Sequence, residues 1–323
     1  MKKIFLFAAA AVVMMSSCSK TEEVYVGKPQ AIGFHSAVVR GIIQTNADMT
    51  YDLSVTSVWD NPTDGVDGQY APYFEDAKFV YDAQQNLWKG APAQYWPTSG
   101  NMHFLAVSPY PVQADLVTNY NTDGTIKDMV FGTIQNNLMD QHDVLFSDML
   151  SVAAPQTAAQ PLLFHHAYAQ LNVGFKKTES AANVVVNSVR VKKAFLNGTL
   201  TITPAATPAH STAVWATPGI EFATARYFLD ADATGVEDGV LDAVLSASEA
   251  FTPKPIVVIP SAQTEIEIVY TIDGKQQKYV HTLTGEWLMG YKYTYNYTIN
   301  VNEIMFSCTV DEWIPQDGGS ITI

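Results

Sequence analysis

Tyr291-Lys292-Tyr293-Thr294-Tyr295-Asn296-Tyr297-Thr298-Ile299-Asn300-Val301 decides the fold of this chain. Tyr291, Tyr293, Tyr295, Tyr297, Ile299 and Val301 fall on one side of the alternation. Lys292, Thr294, Asn296, Thr298 and Asn300 fall on the other. Successive strand side chains point to opposite faces, so a period of two describes a half-buried strand; a helix would need a period of 3.6.

The same alternation recurs outward from that segment. Met49, Tyr51, Leu53 and Val55 alternate with Thr50, Asp52, Ser54 and Thr56, which predicts another half-buried strand. Similar runs are Ala31–Val39, Ala77–Tyr81, Met102–Val107, Val144–Phe146, Leu163–Phe175, Val184–Val191, Thr199–Thr203, Lys254–Ile259 and Glu265–Ile272. Asp273-Gly274 suits a tight hairpin turn, because glycine tolerates positive φ. Only Val240–Ala250 hints at a helix, with Leu241, Val244 and Leu245 at i, i+3 and i+4. Many short strands with Pro and Gly between them predict an all-β protein of antiparallel β-sandwiches. The Ala/Pro/Gln-rich stretch Ser151–Pro161 reads as a boundary between an N-terminal sandwich (31–160) and a C-terminal one (161–323).

The N-terminus reads as an export signal. Lys2 and Lys3 precede an apolar run, Ile4–Met15, and then Ser16, Ser17 and Cys18. A charged start, a short apolar core and small residues at the cleavage point define a secretory signal, residues 1–17. The run is too short to span a bilayer, and no second long apolar segment follows. A Cys directly after two small residues resembles the lipobox of bacterial lipoproteins. That resemblance implies that the Cys18 thiol takes a diacylglyceryl group and becomes the first mature residue. Two or more acyl chains anchor stably where one does not. Residues 18–30 read as a tether.

Charge excludes one class of partner. The formal charge of −14 becomes −16 once residues 1–17, with Lys2 and Lys3, are removed. Such an acidic body repels nucleic acid, so none is expected as a partner. With lipid on Cys18, Cys308 is the one remaining cysteine, which excludes a disulfide framework and a Cys-based metal site. Cys308 shares an alternating apolar face with Ile304, Phe306 and Val310 and reads as a buried, inert thiol.

A search for catalytic chemistry returns little. There is no Gly-rich phosphate loop, nucleophile elbow or His-Glu-x-x-His helix, so no enzyme activity, cofactor or metal is expected. His165-His166 is adjacent on a strand, so the two rings face opposite ways and do not readily share a metal. Asp64, Asp67, Asp140 and Asp143 read as solvated turn carboxylates that fall short of a calcium loop. Trp59, Trp88, Trp96 and Trp215 read as core residues rather than exposed sugar platforms.

Several segments in order carry a family resemblance. They are the lipobox, Ala31-Ile32-Gly33-Phe34 with Val39-Arg40-Gly41, Tyr95-Trp96-Pro97, Asp143-Val144-Leu145-Phe146, and Leu163 to Val173. Trp287-Leu288-Met289-Gly290-Tyr291-Lys292-Tyr293 follows, then Trp313 and Gly318-Gly319-Ser320-Ile321-Thr322-Ile323. Together they resemble the fimbrillin-like lipoproteins of Bacteroidales-type bacteria, the subunits of type V pili. The resemblance implies two transthyretin-like β-sandwich domains in tandem and a structural or adhesive role in a cell-surface fimbria. It implies export to the outer membrane, then removal of the N-terminal strand by an arginine-specific protease. Arg40 and Gly41 match the cleavage position. The emptied groove would accept a strand from a neighbouring fimbrial subunit, and Ser320, Ile321, Thr322 and Ile323 are the candidate donor. The alternative is a non-polymerising surface lipoprotein on the same scaffold that binds a glycan or another host or bacterial surface ligand.

Overall fold

A computed structural model describes residues 29–36, 51–60, 69–110, 116–135, 143–178, 183–195, 197–206, 208–219, 224–228, 240–300, 303–313 and 321–322. Cys18, Arg40, Gly41, Ser320 and Ile323, together with Asp64, Asp67 and Asp140, lie outside these residues. Among the described residues every regular element is a strand. Among the described residues no helix is long and apolar enough to cross a membrane.

The first sheet has nine strands. Its order runs β10 (Gln160–Leu162), β1 (Gly33–Ser36), β4 (Leu87–Gly90), β3 (Tyr70–Asp82), β2 (Leu53–Asp60), β5 (Asn101–Ser108), β8 (Leu145–Ser147) and β11 (Phe164–His166). A further strand, β9 (Leu150–Ala153), pairs with β5. The two end strands, β10 and β11, are consecutive in the chain with only Leu163 between them. The sheet therefore has to curl until its edges meet, and it wraps a core of its own. Phe34, Val55, Phe79, Trp88, Phe104 and Phe164 fill that core.

The outer side of the same sheet packs on a second, four-stranded sheet. That sheet runs β15 (Thr212–Ala216), β14 (Asn197–Thr203), β7 (Ile126–Gln135) and β6 (Leu116–Tyr120), and so draws strands from both halves of the sequence. Val58, Leu105 and Val107 meet Met129, Phe131, Leu200 and Ile202 there. A core on each side explains a departure from the sequence reading. The strand expected over Met49–Thr56 begins at Leu53 among the described residues, and it is buried on both faces. Two of its polar members find partners locally: Ser54 donates to Asp76 (2.5 Å), and the Asp76 N–H donates to Thr56 (3.2 Å).

The third core lies between two stacked sheets. One runs β18 (Ile256–Val258), β12 (Ala169–Lys177), β23 (Tyr291–Ile299), β24 (Ile304–Glu312) and β25 (Ile321–Thr322). The other runs β16 (Thr224–Tyr227), β13 (Val184–Ala194), β20 (Glu265–Ile272) and β21 (Lys275–Thr282), with β17 (Val240–Val244) also on β13. A short pair, β19 (Ser261–Ala262) and β22 (Glu286–Trp287), stands apart. Tyr293, Tyr295, Tyr297 and Ile299 are buried on one face of β23, as the alternation requires. Asp273 and Gly274 both have positive φ (47° and 79°) and join β20 to β21 as a two-residue turn of the I′ kind.

Two expectations are corrected. The helix expected within Val240–Ala250 is strand over Val240–Val244. Leu241 and Leu245 are buried in the third core, whereas Val244 is 69% exposed. The face that counts is thus Leu241, Ala243, Leu245, a strand spacing. The single strand expected over Leu163–Phe175 is two, β11 and β12, in different sheets. Ala167 and Tyr168 between them are both buried, which a straight half-buried strand cannot achieve. Their carbonyls accept from Trp215 Nε1 (2.7 Å) and the Gly290 N–H (2.9 Å) instead of a neighbouring strand. The chain passes from the first sheet to the third core at this bend. The stretch Ser151–Pro161 lies before it, between and within β9 and β10, both of which pair into the first sheet.

Candidate strand-exchange site

Glycine at 33 and alternating Ile32 and Phe34 make β1 narrow on one side and apolar on the other. It is clasped on both edges. On one side it runs parallel to β10, with Phe34 opposite Gln160 and Ser36 opposite Leu162. On the other it runs antiparallel to β4, with Phe34 opposite Trp88. The ladder extends backwards: the Ile32 N–H donates to Gln94 O (2.7 Å), and Gln30 O accepts from Trp96 N–H (2.9 Å). Gln30, at the end of the expected tether, is therefore already fixed to the body.

The Phe34 ring is fully buried and lies 5.1 Å from Phe79 and 5.2 Å from Phe104, centroid to centroid. Ile32 is buried beside it. Each such side chain contributes about 1.5–3 kcal/mol by leaving water. Withdrawal of β1 would expose a trough lined by Phe79, Trp88, Phe104 and Leu162 and would leave the facing edges of β4 and β10 unpaired.

The C-terminal segment is held differently. Among the described residues β25 pairs with β24 alone, through Ile321 opposite Val310 and Thr322 opposite Thr309. It is the outermost strand of its sheet. The root of this segment is fixed more firmly. The Trp313 N–H donates to Gly290 O (2.6 Å). The Trp313 indole stacks on His166 (3.9 Å between centroids, 9° between planes).

Gly290, with φ of 73°, sits at the centre of the segment that carries the family resemblance. Around it, Trp287 Nε1 donates to the Tyr295 hydroxyl (2.9 Å). Tyr293 donates to Glu286 O and accepts from the Leu288 N–H, both at 2.8 Å. The Trp-x-x-Gly-x-x-Tyr-x-Tyr spacing thus builds a turn whose buried phenols are all partnered. Burial pushes the Tyr295 and Tyr297 hydroxyls far above their ordinary range, so both stay protonated.

Other residues that the sequence brings to notice lie elsewhere. His165 and His166 do face opposite ways: His165 Nε2 meets Asp148 (2.8 Å), and His166 Nδ1 meets Asp143. Asp143 is therefore a ring partner rather than a solvated turn carboxylate. Asp148 itself is buried, which works against ionisation. Hydrogen bonds from His165, His210 and the Ser211 N–H outweigh that penalty and hold it below the usual carboxylate range. Sequence spacing gave no sign of Asp148 or His210, which are remote from each other in the chain.

Cys308 is only half-buried, and burial raises its thiol to about 11. Its strand face grades from buried Val310 to exposed Phe306, so the expectation of a fully buried thiol is corrected. Trp88 and Trp96 are buried, and Trp59 and Trp215 are half-buried.

The fimbrillin-like family model matches residues 45–313, most of the chain. The chain belongs to the fimbrillin-like family. No curated protein matches it. Solved structures with the same fold include a fimbrial protein from Bacteroides vulgatus, with a TM-score of 0.54, 15% identity, and coverage of 88% of this chain and 99% of that one. A protein from Bacteroides uniformis assigned to cell adhesion aligns with a TM-score of 0.53, also at 15% identity and with the same coverage. A third, from Bacteroides ovatus and likewise assigned to cell adhesion, gives 0.50 at 15% identity, over 90% of this chain and 99% of that one. At such identity the likeness is one of fold, and this fimbrillin-like chain shares it along nearly its whole length.

Proposed function

We propose that this fimbrillin-like chain is a non-enzymatic cell-surface fimbrial subunit whose first strand is a removable plug. The observation that carries the reading is the seat of β1. It is paired on both edges, it buries Ile32 and Phe34, and Arg40 follows its last residue, Ser36, by four positions. The other two arginines lie within strands, Arg190 in β13 and Arg226 in β16, and Arg226 is fully buried. Of the three arginines, that leaves Arg40, the position that the resemblance matches to the cleavage site.

The proposed route has four steps. Export and lipid on Cys18 deliver the subunit to the outer membrane. β1 keeps the groove filled on the way. Cleavage between Arg40 and Gly41 frees β1 and the lipid together. A strand from a neighbouring subunit then refills the trough, which is strand addition in the manner of donor-strand complementation. The contact is head-to-tail and does not close, so it propagates as a fibre. Two sandwich units in tandem, of the transthyretin-like kind, fit this scheme, with the chain crossing between them at Ala167–Tyr168.

Ser320–Ile323 suits the donor role. Ile321 and Ile323 have the same i, i+2 spacing as Ile32 and Phe34. The ten residues 314–323 reach about 33 Å when extended, whereas the seat of residues 31–36 needs about 20 Å. The test is digestion of the lipidated chain with an arginine-specific protease, followed by N-terminal sequencing and electron microscopy. Wild type should yield a chain starting at Gly41 and fibres. Arg40→Ala should yield neither, and fibres from Arg40→Ala would overturn the mechanism.

A further inference from the structure

Away from both terminal strands, three side chains from three separate segments converge on one point. Asp148 lies in the turn between β8 and β9, His165 lies in β11, and His210 lies in the connection from β14 to β15. One ligand atom from each falls within 4.8 Å of the others. His165 Nε2 is 2.8 Å from Asp148 Oδ1, and His210 Nδ1 is 2.7 Å from Asp148 Oδ2. We propose that Asp148, His165 and His210 form a binding site for a divalent transition metal, with zinc the best match.

The chemistry of the set supports zinc over magnesium or calcium. Two imidazole nitrogens and one carboxylate suit a borderline-soft cation, whereas the hard cations prefer all-oxygen shells. The carboxylate is pre-oriented, because Asp148 Oδ1 also accepts the Ser211 N–H at 2.7 Å. Such outer hydrogen bonds fix ligand direction in metal sites.

The mobility needed is small. Tetrahedral zinc with bonds of about 2.0–2.1 Å places its ligand atoms about 3.3 Å apart, so the two contacts to Asp148 open by roughly half an ångström while the two ring nitrogens, within 4.8 Å of each other, settle to the same spacing. The His210 side chain is 57% exposed and free to make that shift, while that of Asp148, 5% exposed, stays as the anchor. The exposed side leaves room for water as a fourth ligand. An open cleft of about 200 Å³ adjoins Asp148, lined by Leu150, Ser151, Pro161 and Leu163.

Binding requires each neutral ring to present a lone pair at the nitrogen that now faces Asp148. Moving the ring proton to the other nitrogen achieves this without net proton loss; a protonated ring would release one proton. The ion would tie the β8–β9 turn and β11 of the first sheet to the β14–β15 connection of the second. It would therefore raise resistance to unfolding, and increasingly so, logarithmically, as free zinc exceeds its Kd.

The test uses the full chain in detergent, without a histidine tag and stripped with a chelator. Zinc, magnesium and calcium are titrated separately by calorimetry, thermal unfolding is followed, and the zinc complex is examined by X-ray absorption. One zinc per chain is expected, with imidazole and oxygen scattering, no sulfur, and a higher Tm; magnesium and calcium should not compete. His210→Ala, at an exposed position that leaves the fold intact, should weaken zinc binding about tenfold or more, while His35→Gln should not. No zinc uptake would overturn the proposal. So would sulfur in the shell, or uptake that His210→Ala leaves unchanged.

Discussion

β1 and β25 are both short terminal strands, yet they are held in opposite ways. β1 is paired on two edges and carries a fully buried phenylalanine into the centre of a core. β25 touches one neighbour through two residue pairs at the rim of its sheet. The first is integral to its sheet, and its loss would open both an edge pairing and a core. The second is paired along a single edge among the described residues. A subunit that receives a strand at one end and gives one at the other needs this asymmetry.

The largest effect should come from weakening the clasped strand. Phe34→Ala removes the ring between Phe79 and Phe104 and leaves a cavity, at a cost of about 3–5 kcal/mol. Denaturant unfolding of the uncut chain measures it. After cleavage at Arg40, the same variant should lose its β1 peptide faster than wild type. A cost near zero would mean that β1 is not integral, and the contrast with β25 would collapse.

An intermediate effect should appear in acid, away from both strands. Glu267 of β20 is held below its ordinary carboxylate range. The Lys278 ammonium is the main cause, burial opposes it, and Arg190 adds to it. Lys278 lies 2.8 Å away and Arg190 2.6 Å. A depressed folded pKa means that the unfolded chain takes up the proton first. The associated stability is present above about pH 4.5 and is lost as pH falls through the lower folded value. Glu267→Gln should therefore be less stable than wild type at pH 7, with the gap closing towards pH 3. Hydrogen exchange should show acid loosening β13, β20 and β21 while β1 stays protected. Earlier loss of β1 in acid would show that its seat depends on that distant pair.

Much of this contrast was legible in the sequence. The Tyr291–Ile299 alternation announced β23 because one face meets a core and the other is more open, so the two faces carry opposite demands. Ile32-Gly33-Phe34 likewise read as a strand. The misreadings share a physical cause: local period cannot show when a second layer covers the other side. Ser54 and Thr56 look solvent-facing but are buried on the side that the four-stranded sheet covers. Leu241, Val244 and Leu245 look helical because Val244 happens to be apolar while pointing outwards. The Asp148–His165–His210 cluster was illegible for another reason. Its members come from three segments, and only the curl of the first sheet against the β14–β15 connection brings them together.

The smallest expected effect on stability should have the largest consequence for assembly. Ending the chain after Trp313 removes β25 and the residues leading to it, but it keeps the Trp313 N–H on Gly290 and the indole on His166. Those two contacts fix the end of β24, so the loss should be confined to one rim ladder, about 1 kcal/mol or less. Thermal unfolding should shift by only a few degrees. The truncated subunit should still be cut at Arg40, expose its trough and accept a strand from an intact neighbour. It should have nothing to offer the next one. Mixed with cut wild type, it should shorten fibres in proportion to its share, because each truncated chain ends growth on the side where its missing segment would have reached out. Fibres of normal length from the truncated chain alone would place the donor elsewhere and leave β25 as an ordinary edge strand. A large loss of stability would do equal damage to the comparison, since β25 would then be as integral to its sheet as β1 is to its own.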